Sequence, residues 1–117
     1  MKNRKYGLVQ KLSFTEISDV LNSLKYIKTA FLFGSRANNT QNSKSDYDFA
    51  FEMQKIENAS WGMQAKAWID ICDLLDLKEY DVDIVDLSNA DMYVKREIKE
   101  NHILLKGDKN DISRLLE

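Results

Sequence analysis

Several residue types are scarce in this 117-residue chain, which has no proline, a single cysteine and four glycines. Without proline, repeats or a low-complexity linker, no internal domain boundary is visible, and we expect residues 1–117 to form a single domain. Because Cys72 has no second cysteine for an internal disulfide, a reducing cytoplasmic location is expected. No apolar run is long enough to cross a bilayer, so no membrane association is expected.

A surplus of basic charge is also absent. Lys and Arg total 17 against 19 for Asp and Glu, which gives a formal net charge of -2. Domains that bind nucleic acid usually present a basic surface, so direct nucleic-acid binding is not expected. This charge still leaves room for a local basic patch that faces phosphates.

The apolar pattern predicts alternating strands and helices with short links, which is typical of a small α/β domain. Ser13-Phe14-Thr15-Glu16 has the form of a capping box, and the helix behind it runs to about Lys25. Strands are predicted at Ala30–Phe33, Asp46–Met53, Tyr80–Leu87 and Ile103–Leu105, and further helices begin near Ser60, cover Asp91–Asn101 and lie within Asp108–Glu117.

Two of the predicted helices carry apolar residues on one side. Helical spacing assigns a core face to the second helix, formed by Trp61, Ala65, Trp68, Cys72 and Leu75. In the tail, Ile112, Leu115 and Leu116 point to one side, and the sequence leaves open whether they cover the domain's own core or a partner surface.

The predicted strands carry carboxylates at alternate positions. Residues two apart in a strand point the same way, so Asp46 and Asp48 project together, as do Asp81 and Asp83. Taken alone, such a pair is explained more simply as edge-strand acids that face water. In a covered sheet, however, paired carboxylates need a cation between them, and oxygen ligands without His or Cys favour Mg²⁺.

A Gly-Ser pair favours a ligand-binding site over the simpler explanation of acids that face water. Gly34 follows an apolar strand, where the missing side chain lets backbone amides approach a phosphate closely, and Ser35 adds a hydroxyl donor. The later acidic strand offers Asp83 as a third carboxylate. Together these residues indicate phosphoryl transfer, in which positioning and charge neutralisation do most of the work.

Gly34-Ser35, then Asp46-Tyr47-Asp48, then Val82-Asp83-Ile84-Val85 resembles the signature of the polymerase-beta-type nucleotidyltransferase superfamily. The chain length and the ending from Ile98 to Leu105 resemble its minimal (MNT) branch. The resemblance implies a small mixed β-sheet with helices packed on one face. It covers Ala30 to about Gly107.

The resemblance also implies roles for individual residues. Asp46 and Asp48 would hold two Mg²⁺ ions, and Asp83 would share the metal on the nucleophile's side and accept the proton of the attacking hydroxyl. Gly34 and Ser35 would hold the β- and γ-phosphates of ATP, with Arg36 as a nearby cation.

Members of the MNT branch occur as antitoxins beside HEPN-type ribonuclease toxins. There they transfer AMP from ATP to a tyrosine hydroxyl of the toxin, and we expect the same activity and partner class here. Two alternatives stay open: a binding-only antitoxin without catalysis, and nucleotidyl transfer to a small acceptor such as an aminoglycoside.

Five residues have open or secondary roles. Arg36 pairs either with a phosphate or with a surface acid, and Lys44 is a weaker candidate of the same kind. Asp81 replaces Asp83 as the third ligand if the strand register differs by two residues. Asp86 has the opposite parity and is expected to be structural, and His102 is expected to cap helix carbonyls rather than act as a base.

Overall fold

The computed structural model describes residues 11–38, 46–57 and 62–117, and these ranges contain four strands and four α-helices. In chain order the elements are α1 (Phe14–Ser23), β1 (Ile27–Phe33), β2 (Tyr47–Met53), α2 (Met63–Leu75), β3 (Val82–Asp86), α3 (Met92–Glu100), β4 (His102–Lys106) and α4 (Lys109–Leu116). Short 3-10 turns lie at Gly34–Arg36 and Glu79–Asp81. None of the helices in these ranges is long and apolar enough to span a membrane.

The four strands form one sheet in the order β3-β2-β1-β4. β1 is antiparallel to both β2 and β4, whereas β2 and β3 are parallel. A parallel pair needs a long crossover connection, which α2 supplies between β2 and β3. The predicted small mixed sheet is therefore confirmed.

The helices pack on both faces of the sheet, whereas the resemblance led us to expect one. α1 and α2 cover the face that carries Leu32, Phe49 and Ile84. α3 and α4 cover the opposite face, where Phe31 and Phe33 are buried. The physical reason lies in β1, which is apolar at consecutive positions and so needs a covering layer on each side.

The start of α1 has the predicted capping box. The Glu16 backbone N–H donates to Ser13 Oγ at 3.1 Å, and the Ser13 backbone N–H donates to Glu16 Oε1 at 3.3 Å. The helix ends at Ser23, slightly before the expected Lys25. At this end Lys106 Nζ donates to the Leu21 carbonyl at 2.8 Å, which joins β4 to α1.

The core face of α2 is offset from the predicted one. Its buried residues are Ala67, Ile71 and Leu75, so of the predicted positions only Leu75 is fully inside. Trp68 and Cys72 are partly buried beside this face and, with Ala65, line a surface cavity of about 510 Å³. The offset of one residue corresponds to a rotation of about 100° around the helix. Ser60 and Trp61 lie outside the described residues.

Helix α4 packs its apolar residues onto the domain's own core, which answers the question that the sequence left open. Leu116 is buried in the cluster around Phe31, and Ile112 and Leu115 pack against that cluster. On the polar side Arg114 donates to both oxygens of Glu52, at 2.7 and 2.8 Å. This fork ties the last helix to the C-terminal end of β2.

Candidate active site

The turn after β1 meets the first residues of β2. Phe33, the last residue of β1, pairs with Asp48, and the next residue, Gly34, has a φ of +73°. A Cβ at Gly34 would collide with Asp48 Oδ2 and lie 3.2 Å from Asp48 Cγ. Only glycine therefore fits here, both because of its backbone conformation and because a carboxylate occupies the space of a side chain. Gly34 and Asp48 therefore lie together at one end of the sheet.

Asp83 lies beside Asp48 on the neighbouring strand. The parallel register of β2 and β3 pairs Asp48 with Asp83 and Tyr47 with Val82. Tyr47 and Val82 face the core under α1 and α2. Because strand side chains alternate, the two aspartates point to the opposite face, on the side of α3. Asp46 is exposed and directly precedes β2, so all three predicted carboxylates lie at one end of the sheet.

Burial and the neighbouring acids together raise the pKa of Asp48. Its pKa is raised from 3.8 to about 6, chiefly because burial removes water from the carboxylate, and further because Asp83, Asp46 and Glu97 repel its negative charge. Glu97 was not predicted from the sequence. It comes from α3, which runs back over the sheet towards this end, so only the tertiary structure brings it near Asp48.

Asp81 does not belong to this carboxylate group, and the predicted strand Tyr80–Leu87 is too long. The strand begins at Val82, because Glu79–Asp81 form a 3-10 turn. The carboxylate of Asp81 is buried and accepts the Lys78 backbone N–H at 2.9 Å. Asp81 thus closes its own turn, and Asp83 is the acid of this strand that lies in register with Asp48. At the far end Asp86 accepts from Ser88, in the structural role expected for it.

Arg36 lies on the other side of β2 from Asp48. Its side chain is buried, and its guanidinium carbon stands 4.2 Å from the centroid of the Tyr47 ring. Tyr47 in turn accepts the Leu12 backbone N–H at 2.8 Å. The structure therefore gives Arg36 a cation–π contact within the fold, and its contact with a nucleotide stays a prediction. Ser35 is partly buried in the turn beside Gly34, and Lys44 lies outside the described residues.

The junction between α3 and β4 also reaches the site. Asn101 Nδ2 donates to the Gly34 carbonyl oxygen at 3.1 Å, a contact that sequence reasoning missed because no local pattern signals it. The next residue, His102, contacts the Ile98 carbonyl through Nδ1 at 2.8 Å and packs edge-on against Phe31. The expectation that His102 caps helix carbonyls is confirmed.

The donor atoms at this end of the sheet are carboxylate oxygens. Within the three described ranges, no set of three or more His, Cys, Asp or Glu side chains is arranged closely enough to hold a metal ion by itself. Mg²⁺ does not require such a cage, because it commonly binds one or two carboxylates together with water and substrate phosphates. Asp48 and Asp83, adjacent in register, fit an ion of this kind.

A four-stranded mixed sheet with a Gly-Ser turn held against strand carboxylates defines a nucleotidyltransferase type of domain. The family model for the polymerase beta nucleotidyltransferases matches residues 15–111. The chain therefore belongs to the polymerase beta nucleotidyltransferase family, and it is an enzyme of the nucleotidyltransferase type. A search of curated proteins gave no significant match.

Solved structures with the same fold come from toxin–antitoxin complexes. A chain of a toxin–antitoxin complex with AMP-PNP is 24% identical, with 90% of this chain and 82% of that chain covered and a TM-score of 0.69. A chain of the MntA–HepT complex is 22% identical, with coverages of 92% and 80% and a TM-score of 0.61. A chain of a complex from Shewanella oneidensis, between a tri-AMPylated HEPN toxin and an MNT antitoxin, is 21% identical. The match covers 88% of this chain and 76% of that chain, with a TM-score of 0.61. At these identities the likeness establishes the shared fold.

Proposed function

We propose that this chain is an antitoxin that transfers AMP from ATP to a tyrosine hydroxyl of a HEPN-type partner and so neutralises it. The single observation that carries the proposal is the contact of Gly34 with Asp48, with Asp83 in register beside it. This contact puts a turn suited to phosphates directly against carboxylates suited to a metal. A nucleoside triphosphate complexed with Mg²⁺ is the ligand that presents both groups together.

The roles of the residues follow from where they lie. Gly34 and Ser35 would bind the β- and γ-phosphates through backbone amides and the serine hydroxyl, because the turn lies against Asp48 and its glycine places no side chain over those amides. Asp46, Asp48 and Asp83 would hold Mg²⁺, which when bound neutralises charge on the reacting phosphate. The raised pKa of Asp48 in the free chain supports this role, since its carboxylate lies among like charges.

The chemical step is an in-line displacement at the α-phosphorus. The tyrosine oxygen forms a new bond to this phosphorus while the bond to the bridging oxygen of pyrophosphate breaks. Pyrophosphate leaves with the negative charge, and the phenolic proton passes to Asp83, which is exposed at the start of β3. The products are a tyrosine–AMP phosphodiester on the partner and free pyrophosphate.

A protein acceptor fits the construction of the fold better than a small molecule. The helices within the described ranges are used to cover the two faces of the sheet. No further helical lobe in those ranges is available to enclose an aminoglycoside-sized acceptor beside the carboxylates. The structural neighbours, which are toxin–antitoxin complexes and include one with a tri-AMPylated toxin, support a HEPN-type partner.

The experiment combines the purified chain, a candidate HEPN-type partner, ATP and Mg²⁺. Intact-mass and peptide mass spectrometry should find AMP on a tyrosine of the partner. We expect Asp48→Asn and Asp83→Asn to lower the transfer rate by at least about 100-fold, because each removes a charge placed for the transition state. The matched control is Asp19→Asn, which changes an exposed acid on α1. A stable complex that leaves the partner unmodified under all metal and nucleotide conditions would contradict transfer and support neutralisation by binding alone.

A further inference from the structure

The side chain of Asn101 is the point at which α3 and β4 contact the Gly34 turn, defined as Gly34–Arg36. Asn101 Nδ2 lies 3.1 Å from the Gly34 carbonyl oxygen across a separation of 67 residues. Because a carbonyl oxygen can only accept, the amide nitrogen of Asn101 is the atom that faces it. The contact is partly buried, so water competes for it less than it does on the surface.

The backbone on both sides fixes the position of Asn101. Its own N–H donates to the carbonyls of Glu97 and Ile98, which makes it the C-cap of α3. The following residue, His102, already pairs with Phe33 in the sheet. The side chain of Asn101 is thus held in place by the helix end and the start of β4, and its amide reaches the Gly34 turn with little freedom left to lose.

The Gly34 carbonyl oxygen has a second donor within its own turn. The Ala37 backbone N–H lies 3.1 Å from the same oxygen, so both lone pairs of this carbonyl are engaged. No peptide bond in the described ranges is cis. In a trans peptide the carbonyl and the following N–H point in opposite directions, so fixing the Gly34 carbonyl also fixes the direction of the Ser35 N–H.

We propose that Asn101 is a positioning residue for the triphosphate subsite, where it holds the Gly34–Ser35 peptide so that its carbonyl faces α3 and its N–H faces the phosphates. This inference rests on the proposed function, because it assigns the Gly34 turn to the β- and γ-phosphates. Glycine at φ +73° is conformationally permissive, so hydrogen bonds must hold the peptide that follows it, and Asn101 adds a donor from outside the turn to the one from Ala37. If the peptide rotates, an electronegative oxygen replaces a donor in front of the phosphates.

The test compares Asn101→Ala and Asn101→Asp with the wild-type chain. Alanine removes the donor, and aspartate replaces it by an acceptor of nearly equal shape that repels the Gly34 carbonyl. The control for the added charge is Asn89→Asp. Asn89 lies in the exposed turn between β3 and α3, at the end of β3 that is away from Asp83. Isothermal titration calorimetry with Mg²⁺ measures the Kd of a non-hydrolysable ATP analogue and of AMP for each variant, and thermal unfolding reports whether each is folded.

The expected result is selective for the triphosphate tail. Binding of the ATP analogue weakens by about 5- to 30-fold in Asn101→Ala and by more in Asn101→Asp, while AMP binding changes by less than about twofold. A merely structural role would weaken both ligands equally, and that result would overturn the inference, as would unchanged binding of both. If the wild-type chain itself fails to bind the ATP analogue, the proposed function fails and the inference falls with it. If only the selectivity is missing, the inference alone falls.

Discussion

Replacing Asp48 by asparagine is expected to stabilise the chain when no divalent metal is present. The folded structure holds this carboxylate partly away from water, and also next to Asp83 and near Asp46 and Glu97. These surroundings raise its pKa from 3.8 to about 6, which corresponds to at most about 3 kcal/mol of unfavourable free energy in the ionised form. Because solvent screens part of this repulsion, we expect a gain of about 1–2 kcal/mol at pH 7.5.

The pH dependence gives this prediction its sign. The folded chain holds the Asp48 proton more tightly than the unfolded chain, so the wild-type free energy of unfolding decreases as the pH rises from 3.8 to about 6. The full penalty is present above this window. Below pH 3.8 Asp48 is protonated in both states, and the advantage of the variant should disappear.

Urea unfolding in EDTA at pH 7.5 and at pH 3.5 measures the effect. A gain of 1–2 kcal/mol also appears as a rise in Tm of about 4–10 °C for a domain of this size. Asp19→Asn, a substitution of the same type on the exposed side of α1, should change stability by less than about 0.5 kcal/mol. If Asp48→Asn is less stable than the wild type at pH 7.5, or if its advantage does not depend on pH, the reasoning from crowded carboxylates is refuted.

Two further substitutions test the turn and the last helix. Gly34→Ala should lower the free energy of unfolding by at least about 1 kcal/mol more than Gly62→Ala does. Both glycines have a positive φ, but only at Gly34 would the new Cβ meet the carboxylate of Asp48. Equal losses for the two variants in urea unfolding would contradict this. Arg114→Met should lower the free energy of unfolding at pH 7, because it removes the hydrogen bonds to Glu52. The hydrogen bonds from Arg114 hold the pKa of Glu52 below 4.5, so this stabilisation is present above pH 4.5 and is lost as the pH falls through the folded pKa. A stability difference that persists undiminished at pH 2 would refute that origin.

Local signals predicted most of the elements. The capping box at Ser13 and Glu16 satisfies helix-end groups within four residues, so the sequence itself contains the whole interaction. Asp91 and Asn101, the predicted limits of the third helix, are its N-cap and C-cap. The bounds shifted where two local structures compete: the alternation of acids and aliphatics continues through Asp81, but the bond from the Lys78 N–H closes a turn there first.

Part of the carboxylate site was also predictable from signals in the local sequence. The apolar neighbours Val82 and Ile84, which match the family resemblance, favoured Asp83 over Asp81, and the parallel register with Asp48 agrees with that preference. Glu97 and Asn101 could not be predicted, because their approach depends on the path of α3 across the sheet. The sequence offered a phosphate or a surface acid as partner for Arg36, whereas the stacking of its side chain on Tyr47 depends on which face of β2 the turn folds over.

The offset of the α2 core face has a comparable origin. Its sequence offers two adjacent apolar stripes, and periodicity alone does not say which one meets the sheet. The packing against β3 selects the stripe that contains Ile71, and leaves Trp68 to donate to the Glu79 carbonyl at 3.0 Å at the margin.

The most direct test of the central claim is the mass of a HEPN-type partner after incubation with this chain, ATP and Mg²⁺. We predict an added AMP on a partner tyrosine, with the transfer rate lowered at least about 100-fold by Asp48→Asn and by Asp83→Asn although both variants still form the complex. The account would be contradicted if the wild-type chain and both variants neutralised the partner equally well while the mass of the partner stayed unchanged.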